Sequence, residues 1–316
     1  RVGHRRPERS DRAMKVFVTG ATGALGSRTV PALIGAGHTV TGLARTPEKA
    51  AALRAQGAEP VTVSLFDRDR LAEAFTGHDA VANLATALPP SSKFLDSRAW
   101  AENARIRTEG SAAVAAAAGA AGVDRLIQES VCMIYRDRAD RWIDEQWLTD
   151  DFPLARTNHA AEASTQTFVD SGGAGVVLRF GLFYGPESIH SREFLAMARR
   201  GIAPMFGRRD SFVSSLHLAD AGEAVAAALT VPAGVYNVVD DHPITKYQYA
   251  EAIAHAAGRT HYLRAPGRLA ILLGARTTSL TRSLRVSNAR FRETTRWAPL
   301  FPSATDGWAD FATHSA

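Results

Sequence analysis

Lysine is scarce in this chain of 316 residues. Of its 37 basic residues only Lys15, Lys49, Lys93 and Lys246 are lysine, and none lies between Lys93 and Lys246. Chemistry that needs a lysine ammonium from the middle of the chain is thereby excluded. Cysteine is scarcer still. One residue, Cys132, rules out an intramolecular disulfide and any thiolate cluster for zinc or iron–sulfur, and suits a reducing cytosol. No apolar run approaches the roughly 20 residues that cross a bilayer, so no membrane partner is expected. The histidines show no H-E-x-x-H spacing, and no metal is expected.

Positive charge is less general than the pI of 9.6 suggests. Residues 1–13 hold five arginines against Glu8 and Asp11, an excess of three within a net charge of +5. The segment has no periodicity and no apolar stretch of the secretory kind, and reads as a flexible arm. A nucleic-acid partner would require a basic face in the folded part, and none is evident. With 46% hydrophobic residues the chain can bury a substantial core.

From Lys15 onward strand-like and helix-like stretches alternate. Strands are predicted at Val16-Phe17-Val18, His38–Ala44, Val61–Leu65, Ala80–Leu84, Arg125–Glu129 and Gly175–Leu178. Between them, helices are predicted from the glycine turn to about Ala36, at 47–56 with Thr46 as N-cap, at 68–75, at 100–121 and at 156–170. Repeated βα units of this length predict an α/β fold, a Rossmann-type doubly wound parallel sheet with a smaller C-terminal lobe. The expected division is a dinucleotide-binding domain over 14–185 and a mainly substrate-binding lobe over 186–316, with a returning segment near 211–240.

The strongest chemical signal is Gly20-Ala21-Thr22-Gly23-Ala24-Leu25-Gly26, directly after the first strand and opening the first helix. Gly20 permits a tight turn, Gly23 allows backbone to approach a pyrophosphate, and Gly26 lets helix and strand pack closely. The helix N-terminus turns free N–H groups and a positive dipole end toward the phosphates. Gly20, Thr22, Gly23, Ala24 and Leu25 are therefore candidate cofactor contacts. Nicotinamide sites selective for NAD end the second strand with a carboxylate. Here the strand ends Leu43-Ala44-Arg45. Arg45, with help from Thr46 and Lys49, suits a 2′-phosphate, so NADP(H) is expected over NAD(H).

The glycine turn, Asn83-Leu84-Ala85-Thr86, the passage Leu178–Pro186, His217-Leu218-Ala219-Asp220 and Gly234-Val235-Tyr236-Asn237-Val238 occur in order along the chain. Together they resemble the extended or atypical short-chain dehydrogenase/reductases, including their epimerase/dehydratase branch. That resemblance implies that Leu84, Ala85, Thr86 and Phe180 run beside the cofactor and that Asp67 accepts from the adenine amine. Asp67 reads equally as the N-cap of the helix after it.

The resemblance also implies a catalytic tyrosine, a lysine four residues later and a serine, and here the chain departs from it. The residues four before the lysines are Asp11, Arg45, Pro89 and His242, so no tyrosine–lysine dyad exists. The family's pattern places a glutamate four residues after the lysine, as Glu162 stands. That puts Asn158 at the lysine position, Leu154 at the tyrosine position and Val131 at the serine position. Ser130, Tyr135 and Asn158 remain as weak catalytic candidates, and Asn158 also as a cofactor contact. A sugar epimerase or dehydratase needs the tyrosinate, so those activities are disfavoured. A reductase loses less. General acid–base assistance is worth about 10²–10⁴-fold, whereas proximity and orientation can supply about 7–11 kcal/mol.

The pattern is similar to triad-less ketoreductases of aromatic-polyketide antibiotic biosynthesis, the angucyclinone reductases among them. It implies a small-molecule ketone partner whose proton comes from the substrate or from water. Val131, Phe183, Phe194, Met205 and Phe206 are the candidate substrate wall. A protein that binds NADP(H) without turnover, and an isomerase or dehydratase of the epimerase branch, stay open as alternatives.

Overall fold

The computed structural model describes residues 12–203, 206–264, 272, 274, 275 and 277–314. Most of the expected N-terminal arm lies outside them.

Seven strands lie side by side: β1 (Lys15–Thr19), β2 (Thr39–Leu43), β3 (Glu59–Val61), β4 (Ala80–Asn83), β5 (Arg125–Val131), β6 (Ala174–Phe180) and β7 (Gly234–Val238). Their order is β3-β2-β1-β4-β5-β6-β7, and every pairing is parallel. The reason is in the residues. Val16, Phe17 and Val18 are apolar in succession and wholly buried, which suits a strand covered on both faces.

One face is closed by α1 (Gly26–Gly35) and α2 (Pro47–Ala55), whose Val30, Leu33 and Leu53 join Val16 and Val18 in one cluster. The other is closed by α3 (Arg68–Phe75), by α4 (Ala101–Arg105) leading through a π turn (Ile106–Gly110) into α5 (Ser111–Ala120), and by α6 (Pro153–Asp170). Leu71, Phe75, Val114 and Phe168 pack there on Phe17 and Val81. No described helix is long and apolar enough to cross a membrane.

The remainder includes α7 (Ile189–Arg199), α8 (Leu218–Ala227), α9 (Lys246–Ala256) and α10 (Ala304–His314), with short strands and two short helices, Thr278–Thr281 and Ala289–Thr294, between them. Tyr184, Leu195, Tyr249, Ile253, Trp308 and Phe311 form a separate core for α7, α9 and α10. By contrast α8 packs on α1. A Cβ at Gly222 would stand 2.7 Å from the Arg28 backbone, so only glycine allows that approach.

Three local expectations are corrected. The third strand is 59–61 rather than 61–65. Ala44 N makes its last bond to Val61 O, and the chain then turns, with Asp67 N donating to Ser64 O. The helix expected at 100–121 is interrupted by the π turn, which no apolar period announces. The helix expected from 156 begins at Pro153, a residue whose missing N–H costs nothing at the first helical position.

Candidate cofactor and substrate site

The glycine turn crosses the end of β4 at a distance only a bare backbone tolerates. Gly20 has φ +65°, and a Cβ on it would lie 2.6 Å from Leu84 O. A Cβ on Gly26 would lie 2.2 Å from Gly20 O, whereas one on Gly23 would meet the same oxygen at 3.2 Å. Gly20 and Gly26 thus shape the turn, and Gly23 keeps its outer surface clear. Gly23 N donates to Gly20 O at 2.9 Å. No side chain caps α1, and the amides of Thr22, Ala24 and Leu25 have no partner among the described residues. Uncommitted amides at a helix N-terminus, with Gly23 and Ala24 exposed, form a fitting cradle for a pyrophosphate.

The floor beside this cradle is held rigid. Thr19 Oγ1 donates to Asn83 Oδ1 at 2.6 Å, and Asn83 Nδ2 donates to Gln128 Oε1 at 2.8 Å. That network fixes the strand from which Leu84, Ala85 and Thr86 emerge. Leu84 is buried, Ala85 half-buried and Thr86 exposed. At the end of β2 Arg45 is exposed and forms no ion pair among the described residues. Thr46 caps α2, accepting from Lys49 N at 3.3 Å, and Asp67 caps α3, accepting from Arg70 N at 3.2 Å. The helix-cap reading of Asp67 therefore has its hydrogen bond. Phe180 differs from expectation. Its ring is wholly buried, 5.1 Å from the Phe183 ring, and belongs to the core rather than to a cofactor surface.

The catalytic candidates do not converge on one reacting centre. Ser130 Oγ donates to Glu162 Oε1 at 2.7 Å, inside the molecule. Glu162 also receives Arg179 Nε at 2.9 Å and Arg179 Nη2 at 2.7 Å. Arg179 Nη1 donates to the Tyr135 oxygen at 2.9 Å, and Tyr135 donates in turn to Asn237 Oδ1 at 2.8 Å. Ser130 and Tyr135 are thus members of one buried network joining β5, α6, β6 and β7. Burial drives the Tyr135 phenol well above its usual range, and the Arg179 charge opposes this without reversing it. Both candidates are corrected to structural members of this network, since each hydroxyl is spent on a buried partner. Cys132 is buried as well, its thiol pushed up to about 12 by burial.

Asn158 is different. Its Nδ2 donates to Leu154 O at 2.8 Å, but its Oδ1 is buried with no partner. A buried oxygen without a donor carries a desolvation penalty that a ligand hydroxyl would relieve. His159, next on the helix, turns its Nε2 to Asp150 O at 3.0 Å and away from that position. Val131 and Leu154 pack with Ile134, Phe152 and Ala155 into one small apolar cluster. At the positions where the family's pattern has a hydroxyl and a phenol, this chain presents hydrocarbon.

The expected substrate wall is only partly assembled. Phe183 packs against the central core, Phe194 against the separate core of α7, α9 and α10, and Phe206 is exposed. Met205 lies outside the described residues.

Two features were not anticipated. Glu162, Arg179 and Asn237 are the spine of the buried network; the sequence marks all three only as parts of family landmarks, with nothing to show that they meet. Arg107, inside the π turn, faces Glu129 at 2.6 Å with both side chains 4% exposed. Nothing in the spacing of residues 107 and 129 signals that pair, because it is made by the approach of a helix to the sheet.

A family model described as NAD dependent epimerase/dehydratase family matches residues 16–239. Among curated proteins, a 3-diazoavenalumate denitrifying reductase from a Streptomyces species is 34% identical, over 93% of this chain and 99% of that protein. A 4-hydroxy-2-methyl-3-oxo-4-farnesyl-3,4-dihydroquinoline-1-oxide ketoreductase from Stigmatella aurantiaca is 28% identical, over 78% of this chain and 74% of that protein. Among solved structures, a human epimerase family protein with NADPH has a TM-score of 0.79 at 23% identity, over 95% of this chain and 99% of that one. A Thermus thermophilus UDP-glucose 4-epimerase with NAD has a TM-score of 0.75 at 21% identity, over 95% and 98% of the two chains. At these identities the two structures speak for the fold.

Proposed function

This chain belongs to the NAD-dependent epimerase/dehydratase family and is an oxidoreductase with a nicotinamide cofactor, and from that premise we propose that it is an NADPH-dependent reductase working without a proton donor of its own. When bound, the cofactor supplies a hydride. The chain's part is to hold and orient it. The free amides of Thr22, Ala24 and Leu25 suit the pyrophosphate, Arg45 a 2′-phosphate, and the orphaned Asn158 Oδ1 a ribose hydroxyl.

One observation carries the reading. Val131 and Leu154, at the positions that the resemblance gives to the serine and the tyrosine, lie in an apolar cluster with Ile134, Phe152 and Ala155, and the hydroxyls of Ser130 and Tyr135 are spent inside the buried network. A ketone that accepts hydride becomes a strongly basic alkoxide. With no phenol to quench it, the substrate must bring the proton or take it from water. An aromatic ketone with a neighbouring phenol does so through its internal hydrogen bond. This is the acceptor we favour, and a relative named as a ketoreductase supports a ketone as the acceptor.

A second acceptor is favoured by the relative named as a denitrifying reductase of a diazo compound. Hydride added to the terminal nitrogen of an arenediazonium gives an aryldiazene, which loses N₂ and leaves the arene. No alkoxide forms, so the missing acid costs this reaction nothing.

The test is NADPH oxidation with three acceptors: a 1-hydroxyanthraquinone, its 1-methoxy analogue, and an arenediazonium salt with N₂ measured. Turnover of the hydroxy compound far above the methoxy one supports the ketone reading. Enzyme-dependent N₂ release in step with NADP⁺ supports the diazonium reading. Turnover of neither, or equal turnover of the two quinones without N₂, overturns the proposal.

A further inference from the structure

Two polar clasps fasten the N-terminal end of α7 to the elements that form the cofactor cradle. In the first, Arg28 Nη2 donates to Glu187 Oε1, just ahead of α7. In the second, Ser91 N donates to Glu193 Oε2 at 3.2 Å, and Ser91 Oγ shares a hydrogen bond with His190 Nδ1 at 2.9 Å. The two anchors stand on the two elements that border the glycine turn. Arg28 lies in the first turn of α1, directly beyond the uncommitted amides of Ala24 and Leu25. Ser91 lies on the loop that leaves β4, where the Leu84 backbone crowds Gly20 so closely that a Cβ there would come within 2.6 Å. The segment 187–193, tied at one end to α1 and at the other to this loop, therefore spans the cradle from side to side.

The segment is braced within itself and lightly held from outside. The chain enters it at Gly185, whose φ of +134° favours glycine. Gly185 N then donates to Ser191 Oγ at 3.2 Å, Arg192 Nη1 donates to Pro186 O at 2.6 Å, and Ser188 caps α7 by accepting from Ser191 N. Further along, Leu195 and Ala198 root α7 in the core that it shares with α9 and α10. The clasps are weaker ties than this core. Arg28 Nε and Glu187 Oε2 have no hydrogen-bond partner among the described residues, so their ion pair uses one atom from each side. A recess of about 860 Å³, whose lining includes Ser27, Arg28, Glu187, Ala219 and Glu223, lies beside it. Water there can take over both groups as the pair parts, which lowers the cost of opening. Ser91, His190 and Glu193 are half-buried and within reach of solvent too.

We propose that residues 186–193 form a strap over the bound dinucleotide, and that the cofactor enters and leaves only when the Arg28–Glu187 and Ser91–His190–Glu193 clasps release. The strap sets the rate of cofactor exchange and takes no part in hydride transfer. The inference rests on the nicotinamide cofactor and is independent of which acceptor is reduced.

Two measurements on the full chain test it, both reading NADPH fluorescence in stopped flow with excess NADP⁺ as the chase. In the first, the double variant Ser91→Cys/His190→Cys is joined by a short bismaleimide, and the same variant capped with N-ethylmaleimide is the control. Cys132 stays out of the reaction, being buried with its thiol pushed up to about 12 by that burial. Cross-linking after loading should slow NADPH release at least about 100-fold, and cross-linking the empty protein should slow association alike. Rates equal to those of the control overturn the proposal. A pair that fails to cross-link also overturns it, because the clasp is then not closed in solution.

The second uses Glu187→Gln/Glu193→Gln, which weakens both clasps at once. A gate acts in both directions, so association and dissociation should each quicken about 10-fold while Kd stays within about 3-fold. Unchanged rates overturn the strap. Faster dissociation alone also overturns it, since it makes these carboxylates direct cofactor contacts. A wild-type protein that binds neither NADPH nor NADH removes the cofactor reading itself, and the strap falls with it.

Discussion

At Arg45 one exposed side chain bears on cofactor choice. No acid pairs with it among the described residues, and Thr46, its neighbour, is occupied as a helix cap. Arg45→Glu should raise KM for NADPH about 10- to 100-fold and leave KM for NADH little changed, because only a 2′-phosphate needs the guanidinium. Equal effects on the two cofactors in steady-state kinetics would remove the selectivity argument. Ser130 poses the opposite case. Its hydroxyl is buried on Glu162, so Ser130→Ala should change kcat by well under the roughly 10²-fold that marks the loss of a general acid. A larger loss, with an altered pH–rate profile, would return Ser130 to the chemistry. Asn158 shows how far residue type carries. Its identity announces the missing lysine, but only the folded helix shows that one amide atom is used on Leu154 while the other is left over.

Elements translate such residues into geometry. Gly26 and Gly23 belong to one turn yet have different duties. A methyl at 26 would collide with Gly20 O at 2.2 Å, a backbone atom that cannot step aside, whereas at 23 the contact is 3.2 Å and faces outward. Gly26→Ala should therefore lower Tm sharply. Gly23→Ala should keep Tm nearly intact and weaken NADPH binding, both read by thermal denaturation with and without cofactor. Similar Tm losses in the two variants would mean that Gly23 is also needed for folding. The π turn between α4 and α5 is an element of another kind. It carries Arg107 against Glu129 and brings Gly110 beside Leu65, where a Cβ would stand 2.9 Å from the Leu65 side chain. A buried ion pair of this sort costs about 3–5 kcal/mol to break from one side, so the turn is held by partners far away in sequence.

Across the whole molecule, the segment after α7 returns to the sheet. The short strand 215–217 pairs with 182–184, and β7 pairs with β6. Asp240 follows β7 and is buried there. One oxygen accepts from Ser215 at 2.8 Å, and the other has no partner. Burial pushes its carboxyl up to about 8, with the Ser215 bond pulling the other way. The folded protein thus holds a proton that the unfolded chain releases near its ordinary value of 3.8. Protons bound in excess by the folded state make stability fall as pH rises between about 4 and 8. Asp240→Asn keeps the acceptor for Ser215 and removes the titration. Its Tm should fall less than that of wild type between pH 5 and pH 8, and parallel curves would show that Asp240 does not hold the proton.

The sheet and the cofactor turn were legible because their signals are local. Three consecutive buried apolar residues, a glycine spacing and a cap such as Thr46 each act within a few positions, where covalent geometry and solvent exclusion leave few choices. The absence of a tyrosine–lysine dyad was also settled by sequence alone, since no fold can supply a side chain the chain lacks. Tertiary structure decided the rest. It placed Ser130, Glu162, Arg179, Tyr135 and Asn237 in one network, gathered Val131 and Leu154 into a patch without an acid, and left Lys246 inside with a single hydrogen bond. Those outcomes depend on which groups meet after long loops close and on what burial does to their charge. Neither is encoded at any one position.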